Sequence, residues 1–392
     1  MNSVGRAGDA PHMKLALVVP GGVDRSGEFR VIPALLALIE RLSAHHEVHV
    51  FALHQEPAPG AWDLLGARVH NVGRGATRVR ALRAILREHR KAPFGLVQAF
   101  FSGACGLVAV SAARVLGIPS VVHVAGGEPV RIPDIRYGGR LTWRGRLQER
   151  VVRAGANALT AASAPQLDLL AALGTAARRV PLGVDCVRTW PARAPEPRRA
   201  DEPARLIHVA SLNRVKDQPT LLRALAQLAQ SPKDFQVDIV GEDTLGGAMQ
   251  RLARELGLTG RVRFHGFMTQ RQLLPMMQAA HVLVVSSRHE AGPVAVLEAA
   301  ALGVPTVGTA VGHLAEWAPE AALAVPVGDE QSLAAALSQV LADEPFRLRL
   351  ARAAWTRAVW EDADYTAGCF EALYEELAPV RRRAPPATAV HR

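Results

Sequence analysis

The chain has 392 residues, which favours two domains of similar size over one or four. It is 49% hydrophobic and 21% charged, as suits a soluble protein with sizeable cores, while 5% aromatics argues against a site built mainly on stacked rings. Its 46 Lys and Arg against 36 Asp and Glu give a net +10, and the excess is one-sided: residues 1–190 hold 24 basic and 13 acidic side chains, residues 191–392 hold 22 and 23.

In chain order, MNSVGRAGDAPHM carries no apolar run, so no signal peptide is expected and residues 1–13 read as disordered. KLALVVP (Lys14 to Pro20) is a short apolar strand ending in a turn signal. The run Val31 to Ile39 is far shorter than the ~20 residues of a membrane span. EVHVFAL is a mostly alternating strand, and ARVHNV, FGLVQAF, SVVHVA, ANALTAAS and RRVPLGV continue the series with helix-length segments between them. They define a first domain over residues 14–190. The proline-rich, charged stretch Pro191 to Ala204 reads as a linker. A second round, RLIHVAS, FQVDIVG, RVRFHGF, HVLVVSS and PTVGT, fills residues 205–360. A last helix over 361–380 and a disordered tail over 381–392 complete the chain. Alternating strands and helices predict an α/β fold with two Rossmann-like domains, their parallel sheets facing across a cleft.

Cys105, Cys186 and Cys369 lie far apart without metal-type spacing, and three cannot all pair within the chain. That points to a reducing compartment, the cytoplasm. HHEVH (His45 to His49) lacks the i, i+4 histidines of a zinc-protease helix and reads as a polar turn entering a strand. No GxSxG elbow, P-loop or post-strand GxGxxG occurs. The turn at Gly21 and Gly22 follows the first strand, so its backbone can approach a phosphate, as it can in ordinary turns. The strongest signal is HVLVVSSRHEAGPVAVLEAAALGVPTVGTAVGHLAEW, from His281 to Trp317. A buried-type strand ends before Glu290, an AGP turn follows, and a helix runs from about Val294 to Gly303 with Glu298 one turn inside. A helix starting at the carboxyl edge of a parallel sheet offers free N–H groups and partial positive charge, a site for a diphosphate.

The pattern Glu-(seven residues)-Glu followed by AAALGVPTV resembles the signature of retaining glycosyltransferases of family 4, which have the GT-B fold. VASLNRVKDQPTLLRALAQL, VDIVGEDTLGGAMQRLARELGL, RVRFHGF and VPLGVD resemble that family's successive blocks in order, from the glycine turn to the last helix. The resemblance implies that Glu290 contacts donor-sugar hydroxyls, that Glu298 binds the ribose, and that Gly292, Pro293 and Val294 line the sugar and diphosphate. Pro293 has no N–H to donate. Lys216 is implied to neutralise the diphosphate. Ser211 stands where the family has an arginine, leaving Arg214 as the nearest substitute. His123 is implied near the reacting sugar, Gly21 and Gly22 near the donor phosphate or acceptor, and Phe267 among groups near the base. Glu128 shares the loop of His123 without an assigned role. No DxD motif lies among these blocks, and no metal or other cofactor is expected.

The expected partners are a nucleotide-sugar donor and a glycan or lipid-linked acceptor, with an anionic membrane surface to match the basic stretches Arg74–Lys91 and Arg131–Arg153. That would place the chain peripherally at the inner membrane face. A solvated arginine-rich surface would show the same charge, since only four of the 46 basic residues are lysine. Two competing readings are a GT-B-fold nucleotide-sugar epimerase, against which the Glu-to-Glu spacing and the KDQPTLLRAL block argue, and a nucleic-acid-binding protein. The latter needs aromatic platforms among the arginines, and Tyr137 and Trp143 are too few; no nucleic-acid partner is expected.

Overall fold

The structure is a computed structural model that describes residues 12–199, 202–231 and 234–378. Almost all of the N-terminal segment and all of the C-terminal tail read as disordered lie outside those residues. The first sheet contains β1 (Lys14–Val19), β2 (Glu47–Ala52), β3 (Gly60–Leu64), β4 (Ala67–Asn71), β5 (Leu96–Phe100), β6 (Ser120–Val124), β7 (Ala158–Ala161) and β8 (Arg178–Arg179). Their order is β3-β4-β2-β1-β5-β6-β7-β8, and every neighbouring pair is parallel except the hairpin β3–β4. Leu65 and Gly66 close that hairpin, both with positive φ, as a two-residue turn matched to strand twist requires. The HHEVH cluster spans the junction from the end of α1 (Pro33–His45) into the first half of β2.

Helices α2 (Thr77–Lys91), α3 (Ala104–Leu116), α4 (Trp143–Gly155) and α5 (Ala164–Ala172) make the remaining crossovers. Successive side chains of β1 enter different cores, as a strand covered on both faces requires. Leu15, Leu17 and Val19 pack with Leu35, Leu38 and Ile39 of α1. Ala16 and Val18 pack with Ala81 and Ile85 of α2, Val108 of α3 and Val152 of α4.

The second sheet is parallel throughout: β9 (Ala204–Val209), β10 (Phe235–Val240), β11 (Val262–Gly266), β12 (Val282–Val285), β13 (Thr306–Thr309) and β14 (Ala322–Val325), in the order β11-β10-β9-β12-β13-β14. Around it lie α6 (Gln218–Leu228), α7 (Ala248–Glu255), α8 (Gln270–Ala279), α9 (Val294–Ala301), α10 (Gly312–Trp317), α11 (Glu330–Ala342) and α12 (Glu344–Trp360). The last helix, α13 (Ala363–Leu377), returns to the first domain and places Phe370, Leu373 and Tyr374 in the core beside α1. No helix among the described residues is long and apolar enough to cross a membrane.

Residues 191–199 form neither helix nor strand, yet they are strapped to the second domain. The Arg193 amide donates to the Ala301 carbonyl (2.9 Å), the Arg198 amide to Glu344 (2.8 Å), and Arg347 donates to the Glu196 carbonyl (2.7 Å). The chain passes between domains at two adjacent points. Gly183 lies so close to the second crossing that a Cβ there would sit 2.2 Å from the Asp362 carbonyl carbon. Across the same junction the Ala363 amide donates to the Val184 carbonyl (3.0 Å) and the Gly183 amide to Thr366 Oγ1 (2.9 Å).

The Phe370 ring is fully buried, with centroids 5.9 Å from Phe100 and 5.8 Å from His123. Phe370→Ala should therefore destabilise the chain by about 3–5 kcal/mol, the usual cost of emptying a buried aromatic site. Urea unfolding of both proteins measures it, and a loss under about 1 kcal/mol would show that α13 is not part of the first core.

Candidate functional site

Loops leaving the carboxyl ends of β1, β6 and β7 meet loops leaving β11, β12 and β13. Phe29 faces Phe267 at 6.4 Å, Tyr137 faces His289 at 5.9 Å, Asp134 pairs with Arg288, and Ser163 Oγ donates to the Ala291 carbonyl (2.5 Å). The two sheets thus face one cleft at their carboxyl ends.

At its centre is the loop from Arg288 to Pro293, which runs into α9. The first two residues after β12, Ser286 and Ser287, are buried and hold this loop: Ser286 Oγ donates to the Lys216 carbonyl (2.8 Å) and Ser287 Oγ to Glu290 Oε1 (2.6 Å). The Arg288 amide donates to the Val215 carbonyl (2.7 Å). These bonds bring Lys216 Nζ to 2.5 Å from Glu290 Oε1, both side chains mostly but not fully buried. Pro293 takes the N-cap position and no side chain caps α9, so among the described residues the Val294 and Ala295 amides at the start of this eight-residue helix have no partner.

Glycines set how closely the walls approach. A Cβ on Gly292 would lie 2.7 Å from Ala162 of the first domain and 3.0 Å from His313 Nε2. Gly312 has φ of 49° and backs directly onto Pro293. His313 and Gly312 are site-shaping residues that the sequence reading passed over, although the turn AVGHL follows the strand PTVGT. Glu316 was also passed over: it accepts from the Ala164 amide (3.1 Å) and pairs with Arg179 (2.6 Å), which also pairs with Glu361 (2.6 Å).

Glu298 is 6% exposed and points inward, where Gln270 and the Trp190 indole face it. Burial pushes its carboxyl up to about 7, against the downward pull of those two groups. Arg214 and Ser211 are exposed, and Arg214 has no ion-pair partner among the described residues. Phe267 is exposed at the cleft rim. Gly22 has φ of 80° and lies against Ile32, and with Gly21, Arg30, His54, Gln55 and Arg74 it lines a cavity of about 400 Å³.

His123 is placed differently from its expected position near a reacting sugar. It lies within β6, fully buried, with Nδ1 2.9 Å from Thr160 Oγ1 and its ring between Phe100 and Phe370. Burial lowers its pKa to about 3, so the ring is neutral. Side chains alternate along a strand, and position 123 points to the α13 side. Glu128, by contrast, sits where the loop after β6 meets the start of α3. Burial raises its pKa although the amides of Ser102, Gly103 and Gly126 oppose the rise. Tyr137 lies over Gly127, and burial, with the charges of Glu290 and Glu128, pushes its hydroxyl up to about 12. Among the described residues one group, His49, His70 and Glu88, has ligand atoms close enough to share a metal ion; it belongs to β2, β4 and α2 of the first domain.

Two α/β domains whose mostly parallel sheets face a shared cleft define the GT-B fold class. Residues 34–188 match the family described as Glycosyltransferase Family 4, and residues 192–357 match Glycosyl transferases group 1. The chain belongs to this glycosyltransferase family. It is 33% identical over 184 residues to the D-inositol 3-phosphate glycosyltransferase of Corynebacterium jeikeium, a match covering 45% of this chain and 44% of that protein. A match to the MMP alpha-(1->4)-mannosyltransferase of Mycolicibacterium hassiacum is 30% identical over 237 residues, 58% of this chain and 54% of the other. The chain thus spans about half the length of these curated relatives. Among solved structures, sucrose-phosphate synthase from Thermosynechococcus elongatus superposes with a TM-score of 0.78 at 21% identity, covering 93% of this chain and 99% of that one. HepE of Anabaena, solved with UDP and glucose, gives 0.72 at 17% identity over 93% and 100%.

Glu298 generates a stability prediction. Its pKa is higher in the folded chain (about 7) than the ordinary glutamate value of 4.5, so between those values the folded state binds more protons than the unfolded state. Its contribution is therefore fully present below about pH 4.5 and is lost as pH rises through about 7. Glu298→Gln should remove that loss, so the stability difference between variant and parent should shift in the variant's favour by on the order of 3 kcal/mol from acid to alkaline pH. Denaturant unfolding at pH 4.5 and pH 8 reads it; parallel curves for the two proteins would place Glu298 in solvent.

Proposed function

We propose that the chain is a retaining glycosyltransferase that moves a sugar from a nucleotide-diphosphate sugar to an acceptor hydroxyl without a metal ion, in the synthesis of a glycan or glycolipid. The observation that carries this reading is the Lys216–Glu290 pair beside the uncapped start of α9. A diphosphate entering there would replace Glu290 as the partner of Lys216 and meet the amides of Gly292 and Val294. Lys216 and the helix N-terminus then stabilise negative charge that grows on the leaving diphosphate, a contribution that is largest in the transition state. Glu290, released, accepts hydrogen bonds from the sugar hydroxyls. Glu298, one turn along, faces the ribose diol, with Trp190 and Gln270 holding its carboxyl in place.

Bond making and breaking take place on one face of the sugar. The bond from the anomeric carbon to the phosphate oxygen breaks, its electrons go to the diphosphate, and an oxocarbenium-like state passes. The acceptor oxygen bonds to the same face and its proton goes to the departing phosphate oxygen. His123 supports β6 beneath the acceptor loop in this scheme and is a positioning residue. Arg214, exposed beside Lys216 in sequence, supplies the second cation once the diphosphate is bound. HepE was solved with UDP and glucose, so UDP-sugars are the first donors to test.

Three variants separate the roles. Lys216→Ala should weaken nucleotide binding and lower turnover more, by roughly 10²–10³, since loss of one oxyanion-type donor has that effect. Glu290→Gln should bind free nucleotide nearly as the parent does while binding nucleotide-sugar less well. Glu298→Ala should weaken both ligands. Calorimetric titration of each ligand into each variant measures this, and turnover unchanged by EDTA is expected. If Glu290→Gln loses as much free-nucleotide affinity as Glu298→Ala, the two glutamates have been assigned the wrong partners.

A further inference from the structure

The first domain's positive charge is gathered on one layer. Helices α2, α3 and α4 cover the same face of the first sheet, opposite α1 and α13. Six Lys and Arg lie on α2, one on α3 and four on α4. The two acidic residues of these helices, Glu88 and Glu149, are both buried. On α2 the basic side chains Arg78, Arg80, Arg83, Arg87, Arg90 and Lys91 are all exposed. The layer therefore presents cations to solvent with no exposed carboxylate among its helices.

The same layer carries apolar groups that the core does not use. On α4, Trp143, Leu147 and Val151 are 63%, 53% and 44% exposed. Their spacing of four residues aligns them in one stripe along the helix. Arg144 stacks over the Trp143 ring at 5.4 Å, and neither Arg144 nor Arg150 has an ion-pair partner among the described residues. Val79 on α2 and Val115 on α3 add further exposed apolar points. An indole and branched aliphatics in a row, flanked by arginines, suit the boundary between lipid headgroups and acyl chains.

We propose that the α2–α3–α4 layer docks on an anionic lipid bilayer, with Trp143, Leu147 and Val151 as its apolar insert. A second copy is the poorer occupant, because a two-fold contact would set the same cationic face against itself. A nucleic acid is poorer too, since it would gain nothing from Leu147 and Val151. Helix α4 follows directly on the loop that carries Glu128 and Tyr137 to the cleft, so a lipid-linked acceptor would reach the site from the bilayer side. Only that last step rests on the glycosyltransferase reading.

The test uses the full chain with vesicles of phosphatidylglycerol and phosphatidylcholine, against phosphatidylcholine alone. Sedimentation with the anionic vesicles at low salt, release at high salt, and no sedimentation with the neutral vesicles are expected. Each arginine near the surface is worth about fivefold in partitioning, so Arg144→Glu/Arg150→Glu should lower it more than twentyfold. Leu147→Asp should lower it at least tenfold, and the blue shift of tryptophan emission on vesicles should vanish in Trp143→Phe. These side chains are exposed, so folding should be kept, and UDP titration of each variant should match the parent. Three outcomes would overturn docking: no binding to anionic vesicles at low salt, binding indifferent to Leu147→Asp, or a dimer in solution that Leu147→Asp dissociates. Failure of UDP to bind the parent chain would instead count against the donor assignment and leave docking standing.

Discussion

Lys216 and Glu290 meet at 2.5 Å in a cleft that removes much of their hydration. A largely buried ion pair gains little net stability, because desolvation offsets most of the attraction. In the proposed function its value lies in keeping two charges preorganised where a more highly charged ligand would take one of them over. That requires the loop carrying Glu290 to be fixed while the pair itself stays exchangeable. The fixing comes from neutral hydrogen bonds to its backbone, from Ser163, Thr309 and the Val215 carbonyl, which survive when Lys216 changes partner. Besides Lys216, Ser287 donates to the Glu290 carboxylate and gives it a place to return to.

The same loop must satisfy two domains. Gly292 lets Ala162 of the first domain close to contact distance, and Glu316 reaches across to the start of α5. Arg179 sits between Glu316 and Glu361, and the attraction of both carboxylates raises its pKa despite burial. These contacts lie near the two chain crossings at Gly183 and Asp362, which touch each other. Helix α13 completes the first domain's core beside that junction.

Sequence reasoning reached the parallel strands because each is a short apolar run bounded by turn residues, and it singled out Glu290 and Glu298 through the family resemblance of the motif at a helix start. It did not find β3 or β14. GAWDL alternates for only five residues on an exposed edge, and ALAV is too short to separate from helix. The proline-rich segment after Trp190 reads as a free tether by composition, yet its backbone hydrogen bonds tie it down, with Gly303 clearing room for Pro195. The burial of Glu298 was likewise invisible, since Trp190 and Gln270 come from distant segments. His123 looks like a strand-end residue in sequence, but β6 runs one residue further and turns its ring inward.

Charge distribution separates two tasks that a single net value conflates. The proposed donor site needs little formal charge: Lys216, Arg214 as a second cation and a few backbone amides would face the diphosphate, and the second half of the chain is close to neutral. The surplus arginines lie on α2 and α4, on the opposite side of the first sheet from α13, and Trp143, Leu147 and Val151 are exposed among them. Exposed cations on that outer layer act on a diphosphate in the cleft only through salt-screened solvent. An attraction to the donor therefore does not account for them. A solvated surface would account for the arginines, but it would leave an aligned Trp-Leu-Val stripe unexplained. A surface that is both anionic and apolar a few ångströms further in accounts for both.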